Sequence, residues 1–375
     1  MKKMFMCVLL SILFFPSVMG AQVLHQDIQE TLRAKVVEVV SQERREVPGT
    51  DTISTYQTIR AEIIEGDKTG QIVTIENDYL VLKEGDKFFM NHIITINGNE
   101  MYSVRDIDRR AVIIGFIILF ALVIVGFGGK QGLRSLLSLA ASLFVVLYVL
   151  VPGLLNGYPP VLMSIAIAAL ILFFAIYFTH GFNRESTVAF IGTVTAVIMT
   201  GLLAYLGVYL ARLSGLASDE AIFLNLSTRG NLDFSGLLLG AMIIGVLGVL
   251  DDIAVTQAAV VSELFNTDRT LSRKDVYKKA IRVGKEHVGA LVNTLALAYT
   301  GASLPLLLLF STSESSAGSI INLEIFATEI IRTIVGSIGL VLTVPITTLL
   351  AVYLLKNYTP KHIHSHSHSH AHHTH

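Results

Sequence analysis

The chain has little of what a soluble protein is built from. Charged residues make up 15 % of its 375 positions against 52 % hydrophobic, and the mean hydropathy is +0.62. A soluble surface needs roughly a quarter of its residues charged, so most of this surface faces something other than water. The net charge of −1 excludes nucleic-acid binding driven by bulk charge. The single cysteine, Cys7, lies in the first twenty residues, so the remainder of the chain has no disulfide and no thiol chemistry. No Ser/His/Asp arrangement and no phosphate-cradling glycine loop is visible, and no enzymatic activity is expected.

What charge there is lies unevenly. Residues 21–110 hold 16 of the 29 acids and 11 of the 28 bases. Before them, MKKMFMCVLLSILFFPSVMG has Lys2 and Lys3, about a dozen apolar residues and small residues at Val18 and Gly20, the pattern of a signal peptide over residues 1–20. An uncleaved anchor is the alternative, and either way residue 21 starts outside the cytoplasm. No cysteine sits at the cut, which argues against lipoprotein processing.

Residues 21–110 are rich in Val, Ile, Thr and aromatics. AKVVEVV, TYQTIRAEII, QIVTIEN, YLVL and FFMNHIITI are expected as five strands of a small barrel or sandwich, separated by the turns EGDKTG, KEGDK and INGNE. His25 and His92 are isolated and are expected to be ordinary strand or surface residues. RDIDRR at 105–110 is expected as a charged collar before the first span.

Seven apolar runs follow, at 111–127, 134–155, 160–178, 187–211, 235–261, 288–310 and 331–355, each near the length a bilayer demands. The expected architecture is a membrane all-α helical bundle of seven spans over 111–358, preceded by an extracytoplasmic β domain. Between the fifth and sixth runs, the segment 262–287 carries Arg269, Arg273, Lys274, Lys278, Lys279, Arg282 and Lys285. By the positive-inside rule it is a cytoplasmic loop, which also puts the C-terminus inside a bacterial cytoplasmic membrane. Residues 318–331, with Glu324 and Glu329, are expected as an amphipathic helix in the outer interface, and AIFLNL within 211–234 touches the bilayer in the same way.

The sharpest chemical signal is GLLLGAMIIGVLGVLDDIAVTQAAVVSEL, 236–264. Asp251 and Asp252 interrupt an uncharged run, and a carboxylate there must face protein, water or an ion. Helical spacing puts Ala241, Gly245, Gly248, Asp252, Thr256 and Ala259 on one stripe of small and polar side chains. At 1.5 Å per residue from Ser235, Asp252 lies some 25 Å along the helix, roughly level with Asn293 on the next span. That span offers a matching face of Gly289, Asn293, Ala296, Thr300 and Ser303, with His287 at its inner mouth. TGASLP with Gly301 and Pro305, and the last run with Gly336, Gly339 and Pro345, are expected to break their helices around this polar face.

A transport path lined by Asp251, Asp252, Thr256, Asn293, Thr300 and Ser303 is therefore expected, coupled to protons or a cation. Helix packing or capping is the competing account. Arg332 is expected to pair with Glu329, one turn earlier, rather than with Asp252. An intramembrane aspartyl protease is disfavoured, because its two carboxylates come from facing helices and GFGGK at 126–130 has no aspartate. His180 and Glu185 in HGFNRES are expected to form a solvated turn.

The C-terminal residues 359–375 hold eight of the twelve histidines: His362, His364, His366, His368, His370, His372, His373 and His375. Their alternation suits a divalent ion such as zinc, nickel or copper on a cytoplasmic tail; no cofactor is otherwise required. The partners implied are the lipid bilayer and a small solute or ion, with a homo-oligomer or a paired membrane protein as a further expectation. The runner-up is a non-transporting envelope protein whose β domain binds a partner or polymer, and a third is a metal sensor or exporter accessory.

GVLGVLDDIAVTQAAVVSEL, VGKEHVGALVNTLALAYTGASLPLLLL and EIIRTIVGSIGLVLTVPITTLLA resemble the YibE/F family of bacterial membrane proteins, as do YLVLKEGD, VPGLLNGYPP and HGFNRES, over about residues 60–355. The resemblance implies a polytopic protein with a β domain in front. It carries no settled activity and no catalytic residues, and the histidine tail is not part of its pattern.

Overall fold

The computed structural model describes residues 28–46, 49, 52–95, 97–312 and 315–356. The expected signal peptide at 1–20, His25 and the eight tail histidines lie outside the described residues. Two compact units divide the chain after Phe120.

The first unit is a five-stranded antiparallel sheet, ordered β3-β2-β1-β4-β5, with β1 Ile28–Glu46, β2 Ile53–Ile63, β3 Ile72–Asn77, β4 Lys87–Ile94 and β5 Glu100–Ile107. Alternation buries Leu32, Ala34 and Val36 of β1, Ile59, Ala61 and Ile63 of β2, and Phe88 and Met90 of β4 on one face. Irregularities between Val36 and Glu38 and between Val39 and Ser41 let the long β1 curl. β3 and β5 then approach each other, so the sheet is a half-barrel.

Two expectations change here. YLVL is not a strand, and the fifth strand is β5, which takes in part of the expected collar. The reason lies in side-chain hydrogen bonds. Asn77 Oδ1 accepts from the Tyr79 and Leu80 amides, and Gln57 Oε1 accepts from Leu82 N–H while Gln57 Nε2 donates to the Leu82 carbonyl. These bonds satisfy the backbone without a ladder, and Leu82 plugs the core. His92 is buried in β4 and stacks on Tyr102 at 4.7 Å. Beside it Lys68 Nζ donates to both Glu100 oxygens at 2.7 Å, and the Tyr102 hydroxyl donates to Glu100 at 2.6 Å. The Lys68 bond, then the Tyr102 bond, hold the Glu100 carboxyl down to about 2.

The second unit is helical. Its elements are α1 (Arg110–Val145, which begins in the first unit), a π-turn (Val146–Leu150), α2 (Val151–Leu155), α3 (Pro160–His180), α4 (Arg184–Leu210), α5 (Asp219–Ser227), α6 (Phe234–Thr267), α7 (Arg273–Ala302), α8 (Leu304–Ser311), α9 (Ala317–Ile321) and α10 (Glu324–Leu355). Five stretches are long and apolar enough to cross a membrane: Arg110–Leu155, α3, α4, α6 and α10. The pair α7 and α8, bent by 64°, adds a sixth if the two are taken as one span.

The first two expected runs are one helical stretch with a break at Gly129, whose φ of 53° and ψ of −131° only glycine adopts readily. Gly132 backs directly onto the carbonyl of Ile124 there. The bend at 302–304 falls where TGASLP predicts it. By contrast α10 runs unbroken through Pro345, and its glycines serve contact: Gly339 meets Thr200, and Gly336 meets Val246. The expected interfacial helix at 318–331 is α9 followed by the first two turns of α10. Glu324 starts α10 and holds the loop between α4 and α5, accepting from the Ser214 and Gly215 amides at 2.7 and 2.8 Å. Gly215 has positive φ and presses on the Phe234 carbonyl, where a side chain would collide. The basic segment 262–287 is mostly helix: α6 continues to Thr267, and α7 starts at Arg273 with Val276, Ala280 and Gly284 buried.

The core joins α3, α4, α6 and α10 through Leu172, Ile176, Val197, Ile243, Leu250, Ile253, Leu340 and Val344. Two polar contacts are built into it. Thr348 Oγ1 on α10 donates to Gln257 Oε1 on α6 at 2.9 Å, and both side chains are buried. Gly192 on α4 receives Thr347 of α10, reciprocating the Gly339–Thr200 contact. Small residues bring these helix backbones close, as interhelical contacts in bilayers commonly do.

Candidate functional site

α6 is fixed at its start by Asp233, whose side chain accepts from the Gly236 amide. Leu239, Ile243, Val246, Leu250, Ile253, Ala254, Gln257 and Val261 bury one side of the helix against its neighbours. The opposite side, Ala241, Gly245, Gly248, Asp252 and Ala259, is exposed, and Thr256 is half-buried. The stripe of small residues is thus an open face of the chain and not a helix–helix seam. A Cβ on Gly248 would meet nothing within 4 Å, and one on Gly245 would meet only the Tyr299 hydroxyl at 3.4 Å.

Asp252 projects from this open face, with Asp251 half-buried beside it. The side chains that interact electrostatically with Asp252 are His180, the last residue of α3, and His287 on α7. Among the described residues no hydrogen bond or ion pair joins Asp252 to either imidazole; a carboxylate within electrostatic range of imidazoles is nevertheless suited to handling a cation or a proton. Among the described residues no group of three or more His, Cys, Asp or Glu side chains is gathered to hold a metal ion.

Two cavities lie at the ends of the open face. One, of about 140 Å³, is lined by His180, Asn183, Glu185, Ser186, Ala189, Val255 and Ala259. Asn183 caps α4 by accepting from Ser186 N–H at 2.7 Å, and Glu185 accepts from Ser262 Oγ at 2.5 Å, tying α4 to α6. The other, of about 160 Å³, is lined by Ala241 together with residues that include Thr328, Glu329 and Arg332. Here Arg332 Nη1 donates to Glu329 at 2.6 Å, the pairing expected from their spacing, and both side chains are half-buried.

The predicted site residues divide. Asp252, Asp251 and Thr256 lie on or beside the open face. Asn293 is exposed on α7, and among the described residues no hydrogen bond joins it to Asp252. Thr300 bonds back to the Ala296 carbonyl, and Ser303 caps the bend between α7 and α8. Sequence reasoning set aside His180 and Glu185 as a solvated turn, whereas both line a cavity against α6. Their location at the junction of two apolar runs, beside the run bearing Asp252, was the signal available.

A family model described as YibE/F-like protein matches residues 116–357. The match takes in every helix from α3 to α10 and none of the β strands, so YLVLKEGD lies outside it. No curated protein and no solved structure matches the chain. With the family model covering well over half of the chain, this protein belongs to the YibE/F-like family.

Proposed function

We propose that this protein is a secondary transporter or permease that moves a small solute or ion along the open face of α6. The observation that carries the proposal is Asp252, a carboxylate on an otherwise uncharged stripe of an apolar helix, within electrostatic range of His180 and His287, with a cavity at each end of that stripe. Buried or lipid-facing carboxylates are costly, and in membrane helices they mark ion and proton pathways. Break positions support seven crossings: Gly129 divides the first apolar stretch in two, and α7 with α8 forms one bent span. The seven bases between Arg269 and Lys285 support a cytoplasmic position for that segment, an extracytoplasmic β domain and a cytoplasmic C-terminus. In that orientation the His180–Glu185 cavity is the inner one and the Glu329–Arg332 cavity the outer one.

Flux into proteoliposomes tests this, comparing wild type with Asp252→Asn across protons, sodium, potassium, magnesium, manganese, zinc, nickel and small organic solutes. Flux of one species that the variant lacks, at equal amounts of folded protein, supports the path. Equal flux by both proteins removes Asp252 from it.

One observation favours a second reading, in which the β domain binds an envelope partner. That domain has a polar cavity of about 340 Å³ lined by residues that include Glu43, Arg45, Tyr56, Gln57 and Asn77. Deleting residues 22–105 separates the two: a transporter retains solute movement, and a binding module loses its activity.

A further inference from the structure

We propose that the 160 Å³ cavity between the 215–218 segment, the start of α6 and the first turns of α10 binds a small zwitterion carrying an ammonium and a carboxylate one carbon apart. Arg332 takes the carboxylate and Glu329 the ammonium. As the solute of the path proposed above, the zwitterion rests on that reading; as a bound ligand it does not.

Three observations converge on this cavity. The first is Thr328. It is one of the lining residues and is more than nine-tenths buried, yet among the described residues its hydroxyl has no hydrogen-bond partner. Two other threonines of α10 return their hydroxyls to the carbonyl four residues earlier, Thr333 to Glu329 and Thr343 to Gly339. Thr328 does not, as Thr347 does not where it packs on Gly192, and a buried hydroxyl left unpaired is unfavourable. A polar ligand in the cavity would remove that cost.

The second is the state of the ion pair. Arg332 uses Nη1 for Glu329, and among the described residues the rest of its fork has no hydrogen-bond partner. A guanidinium with spare donors is suited to a carboxylate. Glu329 likewise has lone pairs left for an ammonium.

The third is charge and size. The lining holds one cation, Arg332, and one anion, Glu329. Glu324, close by in sequence, is spent on Ser214 and Gly215. A lone anion or cation entering this balanced site would leave an uncompensated charge out of water, which is expensive. A zwitterion brings both charges, and laid antiparallel to a pair separated by 2.6 Å it pairs each of them. At about 30 Å³ per water the space holds roughly five waters, enough for glycine, alanine or serine.

The experiment uses the purified full-length protein in phosphatidylglycerol nanodiscs with tritiated glycine, L-alanine and L-serine as probes. Acetate and methylammonium, the singly charged halves, are the competitors. At least one probe is expected to bind with a Kd of about 1 mM or tighter and to be displaced at least about tenfold less well by either half than by itself. Thr328→Val, which keeps the side-chain shape, is expected to weaken binding about three- to tenfold with an unchanged melting temperature. The double variant Glu329→Gln/Arg332→Gln, which removes both charges together, is expected to abolish binding.

No probe binding more tightly than its halves, or binding indifferent to both Thr328→Val and the double variant, overturns the proposal. So does loss of binding when phosphatidylserine enters the discs, which would assign the site to a lipid headgroup. Binding without flux overturns the transport reading and leaves this site standing. Asp252-dependent ion flux without zwitterion binding does the reverse.

Discussion

Gly192 and Gly248 are both glycines inside long helices of the same bundle, yet their surroundings differ sharply. A methyl group on Gly192 would lie 2.5 Å from Thr347 Oγ1 and 3.1 Å from its Cβ and Cγ2. Thr347 is fully buried and β-branched, so it has few rotamers in which to withdraw. Overpacking of this kind costs about 1–3 kcal/mol. Replacing glycine by alanine inside a helix returns about 1 kcal/mol, so Gly192→Ala should lose up to about 2 kcal/mol net. At Gly248 nothing lies within 4 Å, and only the propensity gain of up to about 1 kcal/mol applies. The two alanine variants should therefore differ by about 1–3 kcal/mol, with Gly248→Ala the more stable. Thermal unfolding of the full chain in detergent, followed by circular dichroism, measures the order. Gly248→Leu adds the functional half: stability close to wild type, but reduced flux because the side chain obstructs the open face. If Gly248→Ala proves as destabilising as Gly192→Ala, the face of α6 is filled by packing and the path proposed along it fails.

The remaining predictions concern polar contacts. Thr348→Val leaves Gln257 Oε1 without its donor and should destabilise the bundle by about 1–2 kcal/mol, the range found for interhelical hydrogen bonds in membranes; the same unfolding assay reads it, and no change would mean that Gln257 finds another partner. Glu324→Ala releases the Ser214 and Gly215 amides and should cost about 1.5–3 kcal/mol, with hydrogen exchange rising in 213–217; unchanged protection there would refute the clamp. In the β unit, Glu100 is held down to about 2 from an ordinary 4.5, so its contribution to stability is complete above about pH 4.5 and is lost as the pH falls towards 2. Hydrogen exchange across β4 and β5 should therefore show an acid-dependent loss of protection that Glu100→Gln lacks; identical profiles would show that the Lys68–Glu100–Tyr102 contacts do not support the sheet.

Much of the local structure was legible in residue order. Apolar runs longer than a bilayer is thick become helices because the backbone must satisfy itself where no water reaches, and most of the runs map onto α3, α4, α6 and α10. Alternation located four of the five strands. The Glu329–Arg332 pair followed from i,i+3 spacing, because that geometry is a property of any single helix. The bend near Gly301 followed from a proline that cannot continue the hydrogen-bond ladder.

Only the tertiary structure decided which faces are closed. Periodicity placed Ala241, Gly245, Gly248 and Asp252 on one stripe but could not say whether a neighbour covers it. Gly336 and Gly339 read equally well as helix breaks or as contact points until Val246 and Thr200 were found against them. YLVL has strand composition, but two amide side chains bonded its backbone first. His180 and Ala259 belong to different helices, and the cavity they both line depends on how α3 packs on α6. Such contacts are set by side-chain shape across the whole core, which no local pattern encodes.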